Sequence, residues 1–366
     1  MNAADVPLTR ESALVRLHAF VADAAVGYGA RRNFVDAAGA HTAVSRLSAA
    51  LRRRLLSEEE VVRVVLAAHP FPAVEKFIAE VFWRTYWKGW LENHRGLWDQ
   101  FVQDVQAEKV RLDAIPAIGS AYRKAAQGQT GIEAFDHWAS ELARTGYLHN
   151  WARMQVASIW IFTLGLPWQL GADWMSSHLL DADPASNTLS WRWVAGLHTA
   201  GKTYLADEER LSAMTNGALK AEGLATSATP PSPGPLPSPT DLREPVQPDP
   251  KAASLILLTC EDLSLETELD LSDVRGIGIV QQLAGSQADR TSLTDAVKRA
   301  SMHWGREVHE AATWPDLAAI AEHLGCTQVV TGFATTGPTA EALAAFRPYL
   351  SERGLLLTEH QRRWDR

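Results

Sequence analysis

The chain of 366 residues has only two cysteines, Cys260 and Cys326. They lie far apart with no CxxC spacing, which excludes a zinc cage of thiolates and a four-cysteine iron–sulfur cluster. Both sit beside apolar runs, so small buried side chains in a reduced compartment are expected. Long hydrophobic runs are missing too. None approaches the ~18–20 apolar residues that cross a bilayer, and MNAADVPLTRESALVRLHAF has no continuous apolar h-region of a secretory signal. A soluble, cytoplasmic protein with no membrane partner is the expectation. Positive charge is the third shortage: 35 Lys+Arg stand against 43 Asp+Glu, a formal net charge of −8. That balance disfavours a generally basic nucleic-acid binder. The deficit is local, however, because residues 1–221 carry 23 side chains of each sign and residues 222–366 carry 12 basic against 20 acidic.

Tryptophan is plentiful: fourteen, against ten Phe and six Tyr, with eleven of them between Trp83 and Trp193. Proline is concentrated. Nine of eighteen fall in EGLATSATPPSPGPLPSPTDLREPVQPDP, residues 222–250, which is almost free of large apolar residues and reads as an extended, semi-rigid tether. Before it, apolar residues recur at i, i+3, i+4 and i+7 over Ala13–Ala24, Val44–Leu55, Glu58–Ala68, Val74–Asn93, Gly131–Thr145, Met154–Leu164 and Ala172–Leu180, which predicts helices and no strand. Ser57 and Gly146 stand where caps belong. After the tether, Leu255–Thr259, Ile277–Val280, Gln328–Thr331 and Leu355–Thr358 read as buried strands, alternating with helices over Ser292–Arg299, Pro315–Leu324 and Thr339–Arg353. Such alternation predicts a parallel sheet with crossover helices. The expected architecture is an all-helical domain (1–221), a Pro-rich linker (222–250) and a small Rossmann-like α/β domain (251–366).

Within the helix around EVFWRTYWKGW, Glu80, Trp83, Trp87 and Trp90 fall in an arc of about 80°. A Trp-rich core helix with Glu80 at its rim would show the same stripe. Three indoles are nevertheless a costly way to fill space, because each buried N–H needs a partner, and a carboxylic acid beside indoles can be tuned for proton donation. A second concentration, LDADPASNTLSWRWVAG (180–196), holds Asp181, Asp183, Asn187, Trp191 and Trp193. Arg153, in GYLHNWARM (146–154), is the natural counter-charge for Asp181, since a buried carboxylate without a partner is too costly to keep.

At these residues the chain resembles the DNA photolyase/cryptochrome family. The matching segments are AVSRLSAALRRRLLS (43–57), EVFWRTY (80–86), TGIEAFDHWASELARTGYLHNWARM (130–154) and LLDADPASNTLSWRWVAG (179–196), in family order and spacing over most of residues 28–205. The resemblance implies FAD as cofactor. Ser45, Arg46, Leu47 and Ser48 match the turn into a helix that holds the FAD phosphates, Tyr28 the aromatic residue before it, and Arg84 the basic partner of the pyrophosphate. Arg153 and Asp181 match an ion pair over the isoalloxazine, Asp183 a neighbouring acid, and Asn187 the side chain facing the flavin N5. Glu80 and Trp83 match the acid and indole that meet a flipped-out pyrimidine dimer, while Asn150, Met154 and Trp193 match other walls of that pocket. Asn150 counts among the cofactor contacts as well. The implied activity is a carbon–carbon lyase: blue-light-driven splitting of cyclobutane pyrimidine dimers by electron transfer from FADH−, on damaged DNA, by a monomer. The alternative is a cryptochrome-like flavin photoreceptor without repair.

LILLTCEDLSL (255–265) and residues 314–363 are similar to strands of the family's antenna domain, which implies a swapped domain order, as in a circular permutation. No clear ligand motif there decides for an antenna pigment. Several departures matter. Val44 replaces a Thr of the phosphate loop, and Trp151 stands where many dimer-repair members have Arg. The electron relay would run through Trp191 and Trp168, but no Trp occurs between Trp98 and Trp138. The third station is therefore absent, moved to Trp160 or Trp174, or replaced by Tyr122. The His149–Asn150 pair leans towards the cyclobutane dimer. Arg31, Arg32, Arg52, Arg53, Arg54, Lys88, Arg192 and Lys202 are candidates for a phosphate-binding rim.

Overall fold

The computed structural model describes residues 6–199, 202–232, 234–283 and 285–365. Among the described residues, every helix or strand before residue 254 is helical, and all five strands follow it. Local chemistry sets the boundaries. Ser57 accepts the Glu60 N–H at 3.1 Å, and the three glutamates Glu58–Glu60 sit in the first turn, where negative charge complements the helix dipole. Gly146, at φ +67°, ends the Glu133–Thr145 helix in the left-handed conformation that glycine adopts without strain. The helix expected over Val44–Leu55 shrinks to Ser48–Arg52, because Arg46 and Arg54 take φ of +57° and +47° and break the right-handed spiral on both sides. Residues 43–47 are thereby left as an open loop. The helix expected over Met154–Leu164 is Asn150–Ser158, continued by a π turn at Ile159–Thr163. Helices at Arg95–Ala114, Pro116–Ala126 and Pro184–Val194 were not expected; two of them begin with proline, whose fixed φ suits the first helical position.

The strands are β1 (Ser254–Leu257), β2 (Val274–Val280), β3 (Val308–Ala311), β4 (Gln328–Gly332) and β5 (Leu356–His360). All pair in parallel in the order β3-β2-β1-β4-β5. β3 was missing from the sequence reading, because VHEA has no apolar run. One face of the sheet packs under the Trp314–His323 and Pro338–Ser351 helices. The other shares a single apolar cluster with the helical part, which holds Ile256, Ile277 and Val330 together with Leu17, Phe20, Val61 and Val65. The second large cluster fills the helical part with Trp138, Trp151, Trp160, Trp174 and Trp191. Both cysteines are free and buried, with thiol pKa values pushed up by burial to about 12 for Cys260 and about 11 for Cys326.

Residues 222–250 hold no helix or strand among those described, but they do not hang free. Thr240 N–H donates to the Asn93 carbonyl at 2.7 Å, Arg95 to that of Asp241 at 3.0 Å, and Arg243 reaches Glu359 at 2.6 Å. The segment runs as a strap, hydrogen-bonded to the helical part at one end and to β5 at the other.

Candidate functional site

A cavity of about 770 Å³ opens in the helical part, a size suited to a large organic ligand. Its wall comes from four stretches distant in sequence. The loop 44–48 supplies Ser45, Arg46, Leu47 and Ser48, and the Phe71–Asn93 helix supplies Glu80, Trp83 and Arg84. Residues 147–154 add Asn150, Arg153 and Met154, and the loop and helix 179–194 add Asp181, Asp183, Asn187, Trp191 and Trp193. Tyr28 completes the set. Every residue matched to the cofactor or the lesion lines this wall, as does Trp191; Trp168 does not, and its ring stacks on Phe101 at 5.5 Å.

Polar wall residues are held by specific partners. Arg153 binds Asp181 at 2.9 Å and the Leu148 carbonyl at 2.8 Å. Burial would raise the Asp181 carboxyl, yet Arg153 holds it below its ordinary value. One Asp181 oxygen, Oδ1, is buried without a hydrogen-bond partner. Asp183 caps the Pro184–Val194 helix by accepting the Ser186 N–H at 2.8 Å, while its other oxygen faces Arg84, Arg52 and Lys88 at 3.5, 3.8 and 3.9 Å. Burial opposes ionisation there too, but the three cations hold the carboxyl well below the carboxylate range. Asn187 donates its amide N–H to the Ala172 carbonyl at 2.8 Å, a bond that does not engage the amide oxygen. Tyr147 and Tyr28 have hydroxyls pushed up by burial, Tyr147 to about 12.

At the mouth, Trp83 is 48% exposed, edge-on to Tyr86 at 5.2 Å and beside Trp87 at 5.7 Å. Behind them His198 stands edge-on to Trp87 and Trp90 at 4.8 and 4.9 Å. Glu80 does not sit among indoles alone, as its stripe predicted, but is ion-paired with Arg32. The sequence puts Trp87 on the Glu80 stripe and Arg32 among the rim cations, and both line this wall; it gives no place in it to Tyr204 and His198. Tyr204 and His198 had no local signal, because no helical stripe or motif joins them to the other wall residues.

The expected basic rim divides. Arg52, Arg53, Arg54 and Lys88 are not at the mouth: their side chains are 12, 5, 3 and 7% exposed and engaged with acids of the α/β part. Arg192 is half-buried, its guanidinium 5.7 Å from the Trp168 ring. Arg31 and Lys202 are exposed. The His149–Asn150 pair also divides, for His149 turns inward, lies tilted against the His41 ring at 5.1 Å and is pushed down to about 3 by burial.

From the cavity wall, ring contacts lead inward. Trp191 meets Trp160 edge-on at 6.2 Å, and Trp160 stacks on Trp174 at 5.5 Å and meets Tyr122 at 5.8 Å. Gly171 permits this junction: a Cβ there would collide with the Trp191 ring and the Trp160 Nε1.

Residues 77–218 match the family described as the FAD binding domain of DNA photolyase. The chain is 28% identical over 207 residues to the deoxyribodipyrimidine photo-lyase of Escherichia coli, covering 56% of this chain and 42% of that protein. It is 44% identical over 70 residues to the cryptochrome DASH of Gloeobacter violaceus, 19% of this chain and 14% of the relative. Among solved structures, a bacterial class III photolyase from Agrobacterium tumefaciens is similar at 26% identity and a TM-score of 0.47, covering 57% of this chain and 43% of that one. The chain thus spans less than half the length of these relatives.

Proposed function

This chain belongs to the DNA photolyase/cryptochrome family, and from that premise we propose that its helical part holds FAD and splits cyclobutane pyrimidine dimers in DNA under blue light. The observation that carries this reading is the meeting of Glu80 and Trp83 with Asn187, Arg84 and the 45–48 loop in one cavity. The donor set suits a dinucleotide. Hydroxyls of Ser45 and Ser48, the cations Arg46 and Arg84 and a buried oxygen of Asp181 all line the cavity. Reduced FAD, when bound, supplies the light-driven electron.

The chain's own residues do the rest. Tyr28 and the 45–48 loop hold the phosphates with Arg84, and Arg153 keeps Asp181 ionised and oriented. With its N–H committed to Ala172, Asn187 offers its oxygen as an acceptor towards the flavin N5. Trp83 stacks on the flipped-out bases, a sequence-tolerant contact. Glu80, held by Arg32, accepts hydrogen bonds from the lesion's base edges, with Asn150, Met154 and Trp193 enclosing it. Ring contacts support Trp160 rather than Trp168 as the partner of Trp191 in the relay, with Trp174 or Tyr122 beyond it.

A photoreceptor without repair is favoured by one observation: Trp151 lines the cavity as a buried indole, where many dimer-repair relatives carry Arg. Blue-light irradiation of the FAD-loaded full chain with a dimer-containing oligonucleotide decides. Light-dependent loss of dimers supports repair. Bound flavin with dimers intact leaves the photoreceptor, and a chain that takes up no FAD sinks both.

A further inference from the structure

The run Arg52-Arg53-Arg54 lies between the cavity and the sheet. Arg52 donates to the Ala182 carbonyl at 2.7 Å with one arm; with the others it reaches Glu261 at 2.7 Å and the Cys260 carbonyl at 3.3 Å, both in the loop after β1. Arg53 repeats the arrangement, donating to the Leu180 carbonyl at 2.5 Å and to Asp289 at 2.9 Å, in the first turn of the Gln287–Trp304 helix. The backbone is pinned as well: Leu263 N–H donates to the Arg53 carbonyl at 2.9 Å and the Ser264 hydroxyl to that of Arg54 at 2.6 Å. Two consecutive arginines therefore grip the 180–182 backbone, and acids of the α/β part grip the arginines.

What they grip is the stretch on which the cavity depends. It carries Asp181 and Asp183, and Asp183 caps the helix bearing Asn187, Trp191 and Trp193. Glu261 also draws Lys88 to 3.4 Å. With Arg52 and Lys88 satisfied by Glu261, the second, buried oxygen of Asp183 is left chiefly to Arg84, 3.5 Å away. Without Glu261, both cations would be buried with Asp183 as their nearest acid, and Arg84 would lose its hold on it.

We infer that the α/β part is a clamp for the cofactor cavity, and that Glu261 and Asp289 are positioning residues acting through Arg52 and Arg53 on the Leu180–Asp183 wall. The clamp's effect on FAD rests on the proposed function; its effect on the wall does not.

Hydrogen exchange of the full chain tests the wall directly. In Glu261→Ala and, separately, in the milder Asp289→Asn, amides 180–187 should exchange at least about tenfold faster, while those of the Glu133–Thr145 helix keep the wild-type rate. FAD, titrated by the quenching of its fluorescence, should bind at least about tenfold more weakly to Glu261→Ala. Glu261→Gln, which keeps an acceptor for Arg52, should recover part of the loss. Wild-type exchange over 180–187 in both variants, or equal acceleration everywhere, overturns the clamp. A wild type that binds no FAD removes the proposed function, while the exchange pattern still decides the clamp.

Discussion

The two parts of the chain treat the same kind of opening in opposite ways. In the helical part, four distant stretches leave a cavity of about 770 Å³ open between them. In the α/β part, the crevice at the carboxyl ends of β1 and β4, where the strand order reverses and such sheets usually take ligands, is spent on contacts with the helical part. Glu261 and Asp262 follow β1 and meet Arg52, Lys88 and Arg54. Thr336 follows β4 and meets Glu92, while Thr339 donates to Glu261 within the α/β part itself. One opening is built from aromatic walls with a few oriented polar groups, and the other is closed by charge. The acid excess of residues 222–366 is thus partly countercharge for cations of the first half.

The comparison breaks most directly at Arg54. Its guanidinium lies with Glu58, Asp262 and Asp365, all nearly inaccessible. Arg54→Ala should cost about 3–5 kcal/mol, because it leaves buried carboxylates uncompensated, read by urea unfolding. Acid should act on the same contacts. Burial would raise Glu58 and Glu261, but Arg54 and Arg84 hold the first, and Arg52 and Lys88 the second, at about 2 against an ordinary 4.5. Their contribution is therefore complete above pH 4.5 and lost as the pH falls towards 2. A midpoint of unfolding as high at pH 3 as at pH 7 would contradict it.

At the open cavity the expected losses are smaller. Trp83→Ala should weaken binding of a dimer-containing oligonucleotide by about 1–3 kcal/mol, the worth of one base stacked on an aromatic ring, with thermal stability unchanged because half of this indole already faces solvent. Trp160→Phe should slow light-driven flavin reduction more than Trp168→Phe does, followed by absorbance under blue light; the reverse order would restore Trp168 to the relay.

Salt dependence gives the finest distinction. Arg31→Ala and Lys202→Ala should each lower the slope of log affinity against log salt by up to about 0.9, if each neutralises one DNA phosphate. Arg53→Gln should leave that slope alone, since its charge is already spent on Asp289. An equal change for all three would place Arg53 on the DNA.

Much of this architecture was legible in the chain. Heptad-like spacing, Ser57 and Gly146 marked helices; short apolar runs such as LILL and QVVT marked strands; and the Arg153–Asp181 pair followed from the cost of burying a lone carboxylate. The π turn at Ile159–Thr163 and the breaks at Arg46 and Arg54 were not legible, because nothing local in residues of ordinary propensity demands a left-handed φ. Those conformations persist only where surrounding contacts over-determine them.

By itself the sequence determined residue chemistry and local periodicity: which side chains can stack, ionise or cap, and at what spacing along a helix. Only the tertiary structure decided which of them share a space. Arg32 and Arg53 are equivalent in composition, yet one sits at the cavity mouth with Glu80 and the other is sealed against Asp289. Burial and pairing depend on contacts between segments 48 residues apart in the first case and 236 in the second, and no local pattern encodes those.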